Sequence, residues 1–205
     1  MQTVRITTDS RLEVRNYILR FFSALISSNQ FLLKGDDGFL RLWDIKHSTE
    51  KPVYSSRKGD FTAGVTSGQF HPSSDKFAVG SYDDSISIYR GYGTECVRLT
   101  KVDVGGGVWR VKWLAKSYNQ SFVISANMFG GSSIYCLSKT GSEKDNDHIV
   151  YEFDHVYTYK DSDAENSLIY GVDVLDHRVC AGRGDIFTLA LCSFYDNNVM
   201  IVRSD

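Results

Sequence analysis

The chain has 205 residues, enough for one sizeable domain or for a piece of a larger one. Hydrophobic residues make up 42% and charged residues 23%, which excludes a disordered chain, and 23 Lys plus Arg against 25 Asp plus Glu leave a net charge of −2. That balance offers no electrostatic footprint for a nucleic-acid backbone and no polybasic stretch for an anionic membrane.

Residues 1–9 lack the apolar core of a secretory signal. The longest apolar run, 17–26, is about half a bilayer span and contains Arg20, so no membrane helix is expected. Cys96, Cys136, Cys180 and Cys192 never fall into a Cys-x-x-Cys pair, which argues against a zinc ribbon or a redox couple. Reduced thiols in a cytoplasmic protein are the expectation. With 17 Gly, 12 Phe, 12 Tyr and two Pro, the composition favours many short strands over long helices.

A repeat organises the rest. Residues 35–44 read Gly-Asp-Asp-Gly-Phe-Leu-Arg-Leu-Trp-Asp, a polar tight turn followed by an alternating strand that ends on an aromatic. Leu40 and Leu42 fall on one face and Arg41 on the other. A shift of 46 residues gives Ser-Tyr-Asp-Asp-Ser-Ile-Ser-Ile-Tyr-Arg at 81–90, matching Asp37 with Asp83 and Trp43 with Tyr89. The next shift of 46 gives 127–136, which keeps the closing ring as Tyr135 but has Phe129 in place of the turn Asp. A last copy at 193–203 places Asp196 six residues before the closing Val202.

Each copy follows a second strand (31–33, 77–79, 122–126 and 187–192), with a further strand upstream at 108–113 or 169–174 and a fourth downstream at 95–100 or 148–153. Four strands in roughly 40–45 residues, with Trp-Asp closing the third, is the pattern of a WD40 β-propeller blade. The expected fold is therefore all-β, a single WD-repeat domain over 1–205 with blades near 11–58, 59–103, 104–161 and 162–205. Because the last blade ends after its third strand, the expectation is a C-terminal part of a seven-bladed ring, incomplete at its N-terminus. A polar insertion from Lys139 onward reads as a solvated loop. Asp37, Asp83 and Asp196 are expected to clasp turns, since a turn carboxylate accepts backbone N–H bonds. Trp43, Tyr89 and Tyr135 are expected in the blade core.

Signatures of familiar chemistry are missing: no Gly-x-Ser-x-Gly elbow, no phosphate loop, no His-Glu-x-x-His. The five His are scattered, so no metal site is expected. Gly105-Gly106-Gly107 lies between two predicted strands and reads as a tight connection. Blade topology nevertheless puts the start of each first strand and each second-to-third turn at one end, which gathers Trp109, Arg110, Tyr170, Tyr82 and Tyr195. Aromatic and Arg residues on loops of a rigid scaffold suit recognition.

The stretch Gly-Gly-Gly-Val-Trp-Arg-Val-Lys-Trp at 105–113 is more distinctive than Trp-Asp alone. Together with Gly-Ser-Tyr-Asp at 80–83, Ser-Leu-Ile-Tyr-Gly-Val-Asp at 167–173 and Cys-Ser-Phe-Tyr-Asp at 192–196, it resembles the diphthine methyl ester hydrolase family, also called diphthine methyltransferase. The resemblance runs from about Leu12 to the C-terminus. It departs at Val174 and at Arg15, where relatives carry Trp, and in lacking a His just upstream of Leu12. The resemblance implies a cytoplasmic esterase of diphthamide biosynthesis. Such an enzyme removes the methyl ester from methylated diphthine on elongation factor 2 and uses no cofactor beyond water. Ester hydrolysis needs an activated nucleophile and donors for the oxyanion, and the quaternary ammonium of the substrate suits aromatic rings. Tyr82, Trp109, Tyr170 and Tyr195 are then candidates to bind it, Asp173 to act as base or counter-charge, and Arg110 to orient the carbonyl. The competing reading is a non-catalytic WD-repeat scaffold, the commoner use of such folds.

Overall fold

The computed structural model describes residues 24–25, 30–44, 46–48, 50–91, 94–117, 120–141, 149–160, 168–180, 184–193 and 199–203. Among them there is no helix, and so none long and apolar enough to cross a membrane. Within the described residues fifteen strands form four antiparallel sheets, each ordered as its strands run in the chain.

The first sheet holds β1 (Ala24–Leu25), β2 (Gln30–Lys34), β3 (Leu40–Asp44) and β4 (Tyr54–Ser55). The second holds β5 (Val65–Phe70), β6 (Lys76–Ser81), β7 (Ser85–Arg90) and β8 (Val97–Asp103). The third holds β9 (Arg110–Ser117), β10 (Gln120–Ala126), β11 (Ser132–Thr140) and β12 (Val150–Tyr159). The fourth holds β13 (Ile169–Cys180), β14 (Gly184–Ser193) and β15 (Val199–Arg203).

The two-residue period of each strand explains how these sheets stack. Phe77 and Val79 of β6 join Leu32, Leu40, Leu42, Val65 and Tyr89 in a core between the first and second sheets. Ala78, between them in sequence, points the other way, into a second core with Ile86, Ile88, Val108, Val111, Trp113 and Val123. In β10 the alternation repeats: Val123 faces that second core, while Phe122 and Ile124 face a third with Ile134, Ile169, Phe187, Leu189 and Leu191. Each middle sheet is thus buried on both faces, and successive sheets pack face to face in chain order, a propeller-like arrangement. Each fully buried aliphatic or Phe contributes about 1.5–3 kcal/mol.

The strand-closing rings lie within this packing to different degrees. Tyr89 is 1% exposed and stacks on Phe77 with centroids 5.3 Å apart. Tyr135 is buried and meets Phe153 edge-on at 5.6 Å, whereas Trp43 is half-buried. Lys139 belongs to β11 rather than to a loop, pairing with Tyr151 of β12. Part of the expected insertion thus lengthens a hairpin, because β11 and β12 run to nine and ten residues.

Two turns show how the repeated Asp is used. Asp37, between β2 and β3, accepts the Phe39 amide at 3.1 Å and pairs with Arg41 at 2.7 Å. Asp83, between β6 and β7, has a side chain only 2% exposed and accepts from the Thr62 amide at 3.2 Å, Lys101 at 3.1 Å and the Ser85 hydroxyl. Burial opposes ionisation of Asp83, but the Ser85, Lys101 and Thr62 hydrogen bonds outweigh it and hold the carboxyl below its ordinary range. Asp196 lies outside the described residues.

Candidate functional site: a ring cluster where three sheets meet

One end of the sheets carries three half-buried rings, each from a different sheet. Tyr82 lies on the β6–β7 turn, Trp109 immediately before β9, and Tyr170 at the start of β13. Trp109 joins the other two: its ring is 5.7 Å from Tyr82, tilted by 51°, and 5.0 Å from Tyr170, nearly edge-on at 80°. The order of the sheets along the chain thus places three residues distant in sequence side by side.

Backbone bonds within and between the sheets fix the segments that carry the rings. The Tyr82 amide donates to the Gly64 carbonyl at 2.9 Å. The Val108 amide donates to Ser81 at 3.0 Å and the Trp109 amide to Ala126 at 2.8 Å, pinning the Trp109 segment between the second and third sheets. Met128 and Ile169 exchange two bonds, at 3.0 and 3.2 Å, which tie the third sheet to the residue before Tyr170. Tyr170 itself falls at a bulge: Ile169 pairs with Ser193 and Gly171 with Cys192, leaving Tyr170 out of the ladder. Such an extra residue re-aims a side chain, here toward Trp109.

Gly105, Gly106 and Gly107 lie in the connection from β8 to β9, and the last two are in tight contact with their surroundings. A Cβ on Gly106 would collide with the Asn127 carbonyl and sit 2.5 Å from the Gly130 nitrogen. On Gly107 it would press 3.1 Å from the Met128 sulfur and 3.2 Å from the Tyr82 ring. Without those two side chains the connection lies flat against the β10–β11 turn, and this lets Trp109 reach Tyr82. Met128 on that turn has φ of 48°, a left-handed conformation costly for a residue with a Cβ, and Phe129 beside it is 57% exposed.

Beyond the rings lies a charged strip. Arg110 follows Trp109 and is half-buried. Two residues on, Lys112 reaches across to the fourth sheet and pairs with Asp173 at 2.7 Å. Asp173 is exposed, at 63% for its side chain. Its hydrogen bond to Lys112 holds its carboxyl below the ordinary range against a small burial effect, with the Val174 amide adding to the shift. A carboxylate so held is a weak proton acceptor and a strong counter-charge.

Of the residues singled out in the sequence, Tyr82, Trp109 and Tyr170 come together, Arg110 adjoins them in the chain, and Asp173 lies on the same strand as Tyr170. Tyr195 lies outside the described residues. Sequence reasoning missed Lys112, the partner of Asp173, and Lys34, a buried lysine at the end of β2. Lys112 had a signal in the alternation that puts it on the same face of β9 as Arg110.

A second polar pair deserves comparison. His71 Nε2 lies 3.0 Å from the Ser121 hydroxyl, the spacing of a nucleophile and its base. Its Nδ1, however, accepts the Ser73 amide at 3.2 Å, so in the neutral ring Nε2 carries the proton and donates to Ser121. Burial, with Lys76 nearby, lowers the His71 pKa and keeps the ring neutral. This pair does not activate the serine. Among the described residues no three His, Cys, Asp or Glu groups gather as a metal site.

No family model matches the chain. Three curated proteins are similar to it. A Dictyostelium discoideum protein named diphthine methyltransferase homolog is 29% identical over 178 residues, which is 82% of this chain and 44% of that protein. The mouse and human diphthine methyltransferases are each 32% identical over 142 residues, 68% of this chain but 26% and 28% of theirs. The chain thus spans less than half the length of the curated relatives it matches. It is a relative of the diphthine methyltransferases, similar to a part of each, and this is the family that its glycine-tryptophan and tyrosine-aspartate motifs resemble.

Proposed function

We propose that this chain is part of a cytoplasmic hydrolase that removes the methyl ester from methylated diphthine on elongation factor 2 during diphthamide biosynthesis. In this reading residues 1–205 form one WD-repeat domain, and the four sheets are successive blades of a ring that has seven in the whole protein. The observation that carries the proposal is the Tyr82–Trp109–Tyr170 cluster, in a relative of proteins named for diphthine. Three rings offering faces and edges within about 6 Å bind a quaternary ammonium by cation–π attraction, worth roughly 0.5–2 kcal/mol per ring.

The reaction is the attack of a water oxygen on the ester carbonyl carbon. The bond from that carbon to the methoxy oxygen breaks, methanol leaves with one proton, and a carboxylate and a second proton remain. Arg110 orients the carbonyl oxygen and stabilises the charge that develops on it. Asp173, fixed by Lys112, acts as counter-charge to the ammonium more readily than as base, because its depressed pKa makes it a poor acceptor. Tyr195 completes the ring set in this proposal.

The test is incubation of the chain with a peptide carrying methylated diphthine, reading released methanol and the loss of one methyl group by mass spectrometry. Turnover that falls at least tenfold in Trp109→Ala is expected. A folded chain that binds the peptide and releases no methanol would favour the scaffold reading instead.

A further inference from the structure

Position 129 belongs to a turn carboxylate elsewhere in the repeat. Asp37 and Asp83 hold it in the first two sheets and bond inside their own turns, to the Phe39 amide and the Ser85 hydroxyl. In the third sheet the residue is Phe129, which is 57% exposed. It is the one aromatic among the large apolar side chains that stand exposed in the described residues, and aromatic anchors dominate the recognition of proteins.

The β10–β11 turn that carries Phe129 is joined to the ring cluster on two sides. Met128, the preceding residue, exchanges two backbone bonds with Ile169, the neighbour of Tyr170. Its side chain reaches toward Tyr82: a Cβ at Gly107 would lie 3.1 Å from the Met128 sulfur and 3.2 Å from the Tyr82 ring, so sulfur and ring flank one missing side chain. The turn is also held firmly. The Asn127 amide donates to Gly131 at 2.8 Å, the Gly130 amide to Asn127 at 2.7 Å and the Gly131 amide to Met128 at 3.1 Å, while Asn127 Nδ2 donates to the Ser133 hydroxyl at 3.0 Å. With Met128 fixed in the left-handed region at φ 48°, these bonds set the direction in which the chain presents Phe129. Backbone strain of this kind gathers at ligand clamps, and an anchor fixed before binding loses little freedom when it binds.

We propose that Met128 and Phe129 form an apolar lip on the ring cluster that reads the polypeptide around an ammonium-bearing residue. The rings take the charged group, and Phe129 packs on an apolar side chain of the flanking polypeptide. The proposal rests on the reading of the rings as an ammonium site. It makes Phe129 a specificity-determining residue, which separates an ammonium carried on a polypeptide from the same group on a small molecule. Met128, unbranched and polarizable, fills the space between Tyr82 and that polypeptide.

The test is calorimetric titration of the chain with three probes: choline, a peptide carrying trimethyllysine between glycines, and the same peptide with leucines in place of those glycines. None of them is an ester, so turnover does not disturb the titration. The wild-type chain should bind the leucine-flanked peptide about tenfold more tightly than the glycine-flanked one, the effect of one aromatic anchor. Phe129→Ser and Phe129→Asp should each bring that ratio close to one and leave choline and the glycine-flanked peptide as they were. Trp109→Ala should weaken all three probes. Val97, 55% exposed at the end of β8 away from the β8–β9 connection, serves as control, and Val97→Ser should change nothing. If wild type binds neither choline nor the glycine-flanked peptide, the ring reading fails and the lip with it. If both bind and the leucines add nothing, or the folded Phe129 variants keep the full preference, the lip is overturned and the ring reading survives. A wild-type dimer in sedimentation that becomes a monomer in Phe129→Ser would assign the anchor to a second copy of the chain and overturn the proposal as well.

Discussion

The β6–β7 turn and the β10–β11 turn occupy the same place in two successive sheets and are held in different ways. In the first, Asp83 is buried and gathers Thr62, Ser85 and Lys101. In the second, Phe129 stands where the Asp would be and is 57% exposed. There the Asn127 amide bonds to the Gly131 carbonyl at 2.8 Å, Gly130 bonds back to Asn127 at 2.7 Å, and Met128 takes the left-handed conformation. Where a carboxylate clasps the turn, the position is committed to stability. Where backbone bonds close it together with the Asn127 side-chain amide, which donates to the Ser133 hydroxyl at 3.0 Å, the side chain at position 129 is left at the surface. The same position of the repeat is thus committed to folding in one sheet and exposed to solvent in the next.

This contrast can be broken most forcefully at Gly106, because the glycine lets the β8–β9 connection lie against the second turn. Gly106→Ala should destabilise the chain by on the order of 3 kcal/mol, since backbone atoms rather than a yielding side chain stand in the way. Chemical denaturation measures this, and a change under about 1 kcal/mol would mean the two segments can separate freely.

The next largest effect belongs to Asp83. Asp83→Ala strands a buried hydroxyl, an amide and a lysine, so a loss of about 2–3 kcal/mol is expected. Because the folded carboxyl titrates below its unfolded value, its contribution is complete above the ordinary carboxylate range and fades as pH falls through the folded pKa. Asp83→Asn should therefore flatten the acid side of a thermal-midpoint-against-pH curve. Curves that fall in parallel would remove Asp83 as a source of acid sensitivity.

Smaller effects sharpen the other half of the contrast. Phe129→Asp should move stability by less than about 0.5 kcal/mol, because the second turn does not use that side chain. A gain above 1 kcal/mol would show that a carboxylate clasp improves this turn as well. Lys112→Met should cost about 0–1 kcal/mol, as expected for an ion pair with an exposed carboxylate, and less in high salt.

The stacking of the sheets was legible because alternation leaves a mark at every second residue: Phe77, Ala78 and Val79 announce a strand buried on both faces. The site was legible in part. Tyr82, Trp109 and Tyr170 follow from the rule that strand starts and second-to-third turns share an end. The bulge that aims Tyr170 has no such mark, since Tyr-Gly at 170–171 reads as plain strand. Lys34 was concealed because a strand-ending lysine ordinarily reaches water. Only its alignment with Gly80 and Ala126, and the gap at Gly68 across the sheet boundary, betray its burial. Lys139 misled for the opposite reason: polar residues can extend a hairpin past the core, as Lys139 and Thr140 do at the exposed end of β11.

The most direct measurement is nuclear magnetic resonance of the chain titrated with tetramethylammonium, following the aromatic side-chain signals. Saturable shifts centred on the rings of Tyr82, Trp109 and Tyr170, abolished in Trp109→Ala while the fold persists, are predicted. Shifts spread over unrelated rings, or identical titrations of wild type and Trp109→Ala, would contradict the ammonium site on which the functional reading stands.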